Sequence, residues 1–272
     1  PAIKESAAWL KTQGFEVDYA PVDARGFVKV DALADLLRPD TTLVSVMAVN
    51  NEIGSIQPIH DIAALLEDRP TVSFHVDAVQ ALAKVATEVY LPERVDFATF
   101  SSHKFHGLRG VGFVYIKEGK KITPLLTGGG QEKEMRSTTE NVAGIAATAK
   151  ALRLAMENQE AFASKTQQMK EVIRKELANY PDVTIFSGED HFAPHILTFG
   201  IKGVRGEVVV HAFEEFDIYI STTSACSSKA GKPAGTLIAM GVDKSVAQTA
   251  VRLSLDLEND MSQVEQFLTK FK

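Results

Sequence analysis

Val95-Asp96-Phe97-Ala98-Thr99-Phe100-Ser101-Ser102-His103-Lys104-Phe105-His106-Gly107 is the stretch whose reading decides the fold. Its first half reads as a short buried strand, and Phe113-Val114-Tyr115-Ile116 beyond the Arg109-Gly110-Val111-Gly112 turn reads as another. Small hydroxyl residues, a histidine and a lysine therefore fall at a strand end, where α/β folds keep their chemistry. A partly desolvated lysine there loses its proton more readily and exposes a nucleophilic amine able to form a Schiff base. The plain alternative is a surface lysine in a turn.

Outward from this stretch, the apolar strands alternate with helices. Residues 42–49 and 72–77 are apolar with little polar alternation, which predicts buried strands, the first of them too apolar on both faces for an edge. Helices are expected over 2–13, over 30–37 with Asp31 as N-cap, and over roughly 58–67. Residues 15–20 alternate like a strand. The pattern predicts an α/β fold with a mainly parallel sheet covered by helices on both faces.

After a glycine-led polar loop at 127–140, residues 141–179 read as one long helical stretch rich in Ala, Glu, Lys and Gln. Strands at 183–186, 196–199, 217–221 and 251–255, with helices at 207–216 and 260–270, make a smaller α+β unit. The expected division is a large domain over 1–145 and a small domain over 146–272. A polar loop from Thr222 holds Cys226, the only cysteine.

Composition excludes several classes. The 272 residues carry Lys+Arg 29 against Asp+Glu 35, a net charge of −6. That balance argues against a direct nucleic-acid surface or a membrane surface. The apolar runs are too short to cross a bilayer and no signal-peptide pattern is visible, so a cytoplasmic protein is expected. One cysteine rules out an internal disulfide framework and a multi-cysteine metal site.

Asp77 closes the 72–77 strand and Gln80 follows it. A carboxylate there could cap a helix, ligate a metal or face a pyridinium nitrogen. No His pair or second carboxylate stands at ligand spacing, so no metal is expected. A lysine for an aldehyde, an acid for a ring nitrogen, and hydroxyl and N–H groups for a phosphate are what pyridoxal 5'-phosphate requires.

Val49-Asn50-Asn51-Glu52-Ile53-Gly54, His75-Val76-Asp77-Ala78-Val79-Gln80, Ser101-Ser102-His103-Lys104, Gly128-Gly129-Gly130-Gln131-Glu132 with Met135-Arg136-Ser137, and Ser224-Ala225-Cys226 occur in order along the chain. On these motifs the sequence closely resembles the cysteine desulfurases, pyridoxal-phosphate enzymes of the class V aminotransferase family with the type I fold. The resemblance implies that Lys104 holds the cofactor covalently and acts as the base. Asp77 would face the ring nitrogen, Gln80 the phenolic oxygen, and Ser101 and His103 the phosphate. Asn51 would lie beside cofactor and substrate, and Arg252 would grip the carboxylate of L-cysteine. Thr139 would reach the phosphate of the neighbouring subunit of a homodimer. Cys226 would take sulfur as a persulfide on a mobile loop over 222–232 and pass it to an acceptor protein, either a scaffold or a tRNA-thiolation enzyme. The end uses would be iron–sulfur clusters, thiamine or thiolated tRNA.

Leu108, His106 and Asp256 stand where the family commonly has proline, an aromatic and glycine. The resemblance also implies roughly a hundred further residues before Pro1, on the scale of a small domain. Those residues would carry a phosphate loop and a ring-stacking histidine, so the chain alone is expected to bind cofactor weakly. Two rival readings predict different chemistry. Another aminotransferase or lyase of this family has no need of Cys226, and a non-catalytic paralogue serving as a sulfur-carrier dock has no lysine-bound chromophore.

Overall fold

The computed structural model describes residues 2–223 and 235–272. They form two compact units that interleave along the chain instead of meeting at a single boundary near residue 145. One holds 41–49 and 59–163, the other 2–40, 50–58, 164–223 and 235–272.

The first unit is built on a sheet of β1 (Leu43–Met47), β2 (Ser73–Asp77), β3 (Phe97–Ser101) and β4 (Gly112–Ile116), in that order. The pairs β1–β2 and β2–β3 are parallel, and β4 returns antiparallel to β3. Parallel neighbours require crossovers, supplied by α3 (Ile59–Leu65) and by the segment containing α4 (Thr87–Tyr90). Alternation sorts the side chains. Phe74, Val76 and Ala98 are buried on one face, while Ser45, His75 and Thr99 line up across the other. There His75 bridges neighbouring strands, Nδ1 lying 2.8 Å from the Ser45 hydroxyl and Nε2 3.1 Å from that of Thr99. Burial holds the imidazole pKa below its ordinary value against the opposing pull of Asp77.

The start of β3 is fastened by charge. Asp96 is buried and accepts from the Phe74 N–H at 2.9 Å and from Arg94 Nη1 at 2.9 Å, with Lys120 Nζ 3.2 Å away. Arg94 also donates to the carbonyls of Leu66, Arg69 and Val72. Within the described residues β1 stands first in the strand order, with Leu43 half exposed. α5 (Val142–Glu157) follows, its first turn capped by the Asn141 side chain, which accepts from the Gly144 N–H. Asn158 interrupts the single helix expected over 141–179. Its side chain donates to the Leu154 carbonyl and α6 (Gln159–Leu177) restarts beyond it.

The second unit begins with α1 (Ala2–Thr12) and α2 (Val30–Leu36). Asp31 lies inside the first turn of α2, and the N-cap is Lys29 with no side-chain cap bond, so the cap falls two residues before the one expected. Residues 15–20 are not a strand despite their alternation. Phe15 and Tyr19 point to solvent, and the segment is tied instead through Arg38 to Glu16 and Asp18.

Its sheet is antiparallel throughout, in the order β5 (Val183–Ile185), β6 (Ile196–Ile201), β8 (Ala250–Ser254) and β7 (Ser221–Thr222). The remaining helices are α7 (Gly206–Glu214), α8 (Gly235–Ala239), α9 (Lys244–Ala247) and α10 (Met261–Phe271). α6, α7 and α10 bury Met169, Ile173, Phe213 and Phe267 against Leu197, Phe199, Val251 and Leu253. The strand expected over 217–221 shrinks to β7, because Asp217 adopts a left-handed conformation (φ 57°) that ends the preceding helix in a turn. Among the described residues, no helix is long and apolar enough to cross a membrane.

Candidate active site

The first unit places its chemistry where its parallel strands end. Asp77 is the last residue of β2 and Ser101 the last of β3, and the pairing of Asp77 with Thr99 sets both at one edge of the sheet. Asp77 Oδ1 accepts from the Val79 N–H at 3.1 Å. That bond closes a turn and no helix starts there, so Asp77 is not the helix cap that its position at a strand end allowed. Gln80 is half-buried in the tight turn that follows.

Lys104 sits in a 3₁₀ turn, Ser102–Phe105, directly beyond β3. Both ends of that turn are held. Ser102 is fully buried, its hydroxyl 2.9 Å from that of Thr148, which in turn donates to the Gly144 carbonyl in α5. At the far end His106 turns left-handed (φ 65°) and the Gly107 N–H donates to the Ser102 carbonyl at 2.9 Å. A Cβ on Gly107 would lie 1.8 Å from Ser102 Oγ, so only glycine fits. The backbone carbonyl of Lys104 itself accepts from the ammonium of Lys84. His103 is exposed on this turn, and its pKa is lowered, first by partial desolvation and then by the positive charges of Lys104 and Arg109. Thr139 is exposed in the loop before α5.

The second unit brings together Asn51 and Arg252. Arg252, on the central strand β8, donates through Nη1 to the Asn51 carbonyl at 2.7 Å and through Nε to Ser254 Oγ at 3.1 Å. Asn51 belongs to a turn built by Asn50, whose Oδ1 accepts from the N–H groups of Glu52 (2.8 Å) and Ile53 (3.0 Å). Gly54 closes that turn at φ 85°, and a Cβ there would stand 3.0 Å from Ile196 Cβ. Gly54→Ala is therefore expected to cost about 1–3 kcal/mol through left-handed backbone strain alone. A urea denaturation midpoint at wild-type level would contradict this.

Glu52 is a residue that sequence reasoning quoted only as part of a motif. Burial raises its pKa against the opposing pull of Thr236, Lys4 and Arg252, and its Oε2 accepts from the Thr236 N–H at 3.2 Å. The only signal in the sequence was an acid lodged between Asn51 and Ile53, and its burial is a tertiary property. Cys226 and most of the loop expected over 222–232 lie outside the described residues.

A mainly parallel sheet bearing a carboxylate and a lysine at its strand ends, followed along the chain by an antiparallel α+β unit, defines the type I fold of the pyridoxal-phosphate transferases. The aminotransferase class-V family model matches residues 2–267, and the chain belongs to that family. It is 50% identical over 263 residues to a NifS/IcsS protein homolog of Lactobacillus delbrueckii subsp. bulgaricus, covering 96% of this chain and 68% of that protein. It is 38% identical over 270 residues to a cysteine desulfurase IscS of Clostridium botulinum, covering 98% of this chain and 68% of that one. Among solved structures, a NifS-like protein superposes with a TM-score of 0.90 at 38% identity, covering 99% of this chain and 70% of that one. SspA in complex with cysteine superposes at 0.76 and 26% identity, covering 93% and 70% respectively.

Proposed function

We propose that this protein is a pyridoxal-phosphate-dependent cysteine desulfurase that converts L-cysteine to L-alanine and holds the released sulfur as a persulfide on Cys226. The observation that carries the reading is the rigid mounting of Lys104 beyond β3, with Asp77 and Ser101 at the same strand-end edge. The names of the relatives support it.

The donor set fits pyridoxal phosphate. Lys104 offers a primary amine for its aldehyde, Asp77 a carboxylate for its ring nitrogen, and Gln80 an amide for its phenolic oxygen. Ser101 and His103 offer hydrogen bonds to its phosphate. When bound, the cofactor supplies an electron sink for charge developing at the substrate's Cα. Lys104 removes the Cα proton as general base. Arg252 holds the substrate carboxylate with a planar fork suited to two oxygens, and Asn51 lies beside it. The Cys226 thiolate bonds to the substrate sulfur as the bond from that sulfur to Cβ breaks. The electron pair of the broken bond stays with carbon, which takes up a proton to give the methyl group of alanine. In a homodimer Thr139 reaches the partner's cofactor phosphate. The persulfide then passes to an acceptor protein, a scaffold for iron–sulfur clusters or an enzyme of tRNA or thiamine sulfuration.

The test is stoichiometric. The complete protein, given L-cysteine and a thiol reductant, is expected to form alanine and sulfide in equal amounts, and Cys226→Ala to lose both. Undiminished sulfide release by that variant, or alanine without sulfide, would leave the rival lyase or aminotransferase reading standing.

A further inference from the structure

Lys84 is a buried charge that the reaction above does not use. It is 9% exposed and follows Ala83, which adopts a left-handed conformation (φ 60°) after β2. Its ammonium donates to the backbone carbonyl of Lys104 and lies 5.7 Å from the centroid of the Phe162 ring. The next residue is fixed too, since Gln159 Nε2 donates to the Val85 carbonyl at 2.6 Å. Burying an ammonium is costly unless its charge is compensated, and a carbonyl dipole and an aromatic face supply part of that compensation here.

We propose that Lys84 is a positioning residue for Lys104: by holding the Lys104 carbonyl it fixes the 3₁₀ turn and the direction in which the Lys104 side chain leaves it. The Ser102–Thr148 contact secures the start of the turn and the Gly107–Ser102 bond closes it. The peptide following Lys104 is secured from outside the turn by Lys84. A rotation of that peptide would swing the Lys104 amine at the end of a four-carbon stem, and a displacement of ~1 Å at a reacting group costs about 10²-fold. Lys84 acts here through the Lys104 backbone carbonyl. The inference rests on Lys104 being the covalent anchor for pyridoxal phosphate.

Two ligands separate placement of the amine from integrity of the site. Pyridoxal 5'-phosphate bonds to Lys104, whereas pyridoxine 5'-phosphate, with an alcohol in place of the aldehyde, cannot. In the complete protein, Lys84→Met is expected to weaken pyridoxal phosphate binding by about tenfold or more, while pyridoxine phosphate binds within about twofold of wild type. Turnover is expected to fall through kcat with KM for cysteine little changed, and Lys84→Arg, which keeps a cationic donor, to recover most of the loss. Lys84→Gln, a shorter uncharged donor, serves the same comparison if Lys84→Met does not fold. Equal weakening of both ligands would make Lys84 a purely structural residue and overturn the proposal, as would unchanged binding of both. Wild-type protein that binds both ligands equally, with no visible chromophore, would overturn the covalent-anchor reading itself, and that outcome is distinct from the other two.

Discussion

Replacing Lys104 with alanine in the complete protein is expected to abolish conversion of cysteine to alanine while leaving pyridoxal phosphate bound without its covalent link. The amine serves twice, as the anchor and as the base, and general-base catalysis alone contributes about 10²–10⁴-fold. The other groups proposed to hold the cofactor are independent of it. Asp77 belongs to β2 and is held by its own turn through the Val79 N–H. Ser101 ends β3 by pairing with Gly112 of β4, and the start of the 3₁₀ turn is held by Ser102 and Thr148. None of these contacts involves the Lys104 side chain, so the variant is expected to fold and to retain a phosphate seat. Two measurements check it: single-turnover alanine formation, and the absorbance of bound cofactor in wild type and variant. Alanine formation at the wild-type rate would remove Lys104 from the chemistry. Loss of the cofactor together with loss of the fold would show that the turn depends on the side chain that it displays.

The motif around Lys104 was legible in the sequence because its signal is local: an apolar run, a set of hydroxyl, imidazole and amine groups, then glycines. The register of β2 with β3 turns that local signal into a site, and parallel pairing follows from strands separated by helices. What failed to show was decided by pairing between backbones, or by single side-chain bonds that periodicity does not register. Residues 15–20 alternate, yet alternation makes a strand only where another backbone pairs with it. Asn158 breaks a long helix at little cost in propensity, since one asparagine weighs slightly against a run of good helix formers.

The buried charges were the least legible. Lys84, Glu52 and Asp96 look like ordinary surface residues in sequence, and each is given meaning by a carbonyl, an N–H or a counter-ion from another segment. The proposed roles of Asn51 and Arg252 came from motif resemblance, and their contact through the Asn51 carbonyl is a structural observation that spacing could not supply.

Asp96→Ala is expected to destabilise the protein by about 3–5 kcal/mol, the scale for removing one member of a buried ion pair. The Asp96 side chain is 3% exposed and that of Arg94 11%. Removing the carboxylate strands the Phe74 N–H, which donates to it across the sheet, and leaves Arg94 with carbonyl partners alone. Asp96→Asn separates charge from shape, because the amide oxygen can still accept from Phe74. The sign of the pH dependence follows from the direction of the Asp96 shift. Burial alone would raise its pKa, but the Phe74 N–H, Lys120 and Arg94 outweigh burial and hold it below the usual carboxylate range. A carboxyl with a depressed folded-state pKa stabilises the fold above its unfolded value, about 3.9. That contribution disappears as pH falls through the folded-state pKa. The stability gap between wild type and Asp96→Asn is therefore expected to be full at pH 7 and to narrow from about pH 4 downward. Urea denaturation of both proteins at pH 7, 5 and 3.5 reads it directly. A gap that is constant across these values, or below about 1 kcal/mol at pH 7, would mean that the Asp96 charge contributes little and that its hydrogen bond to β2 is what fastens β3.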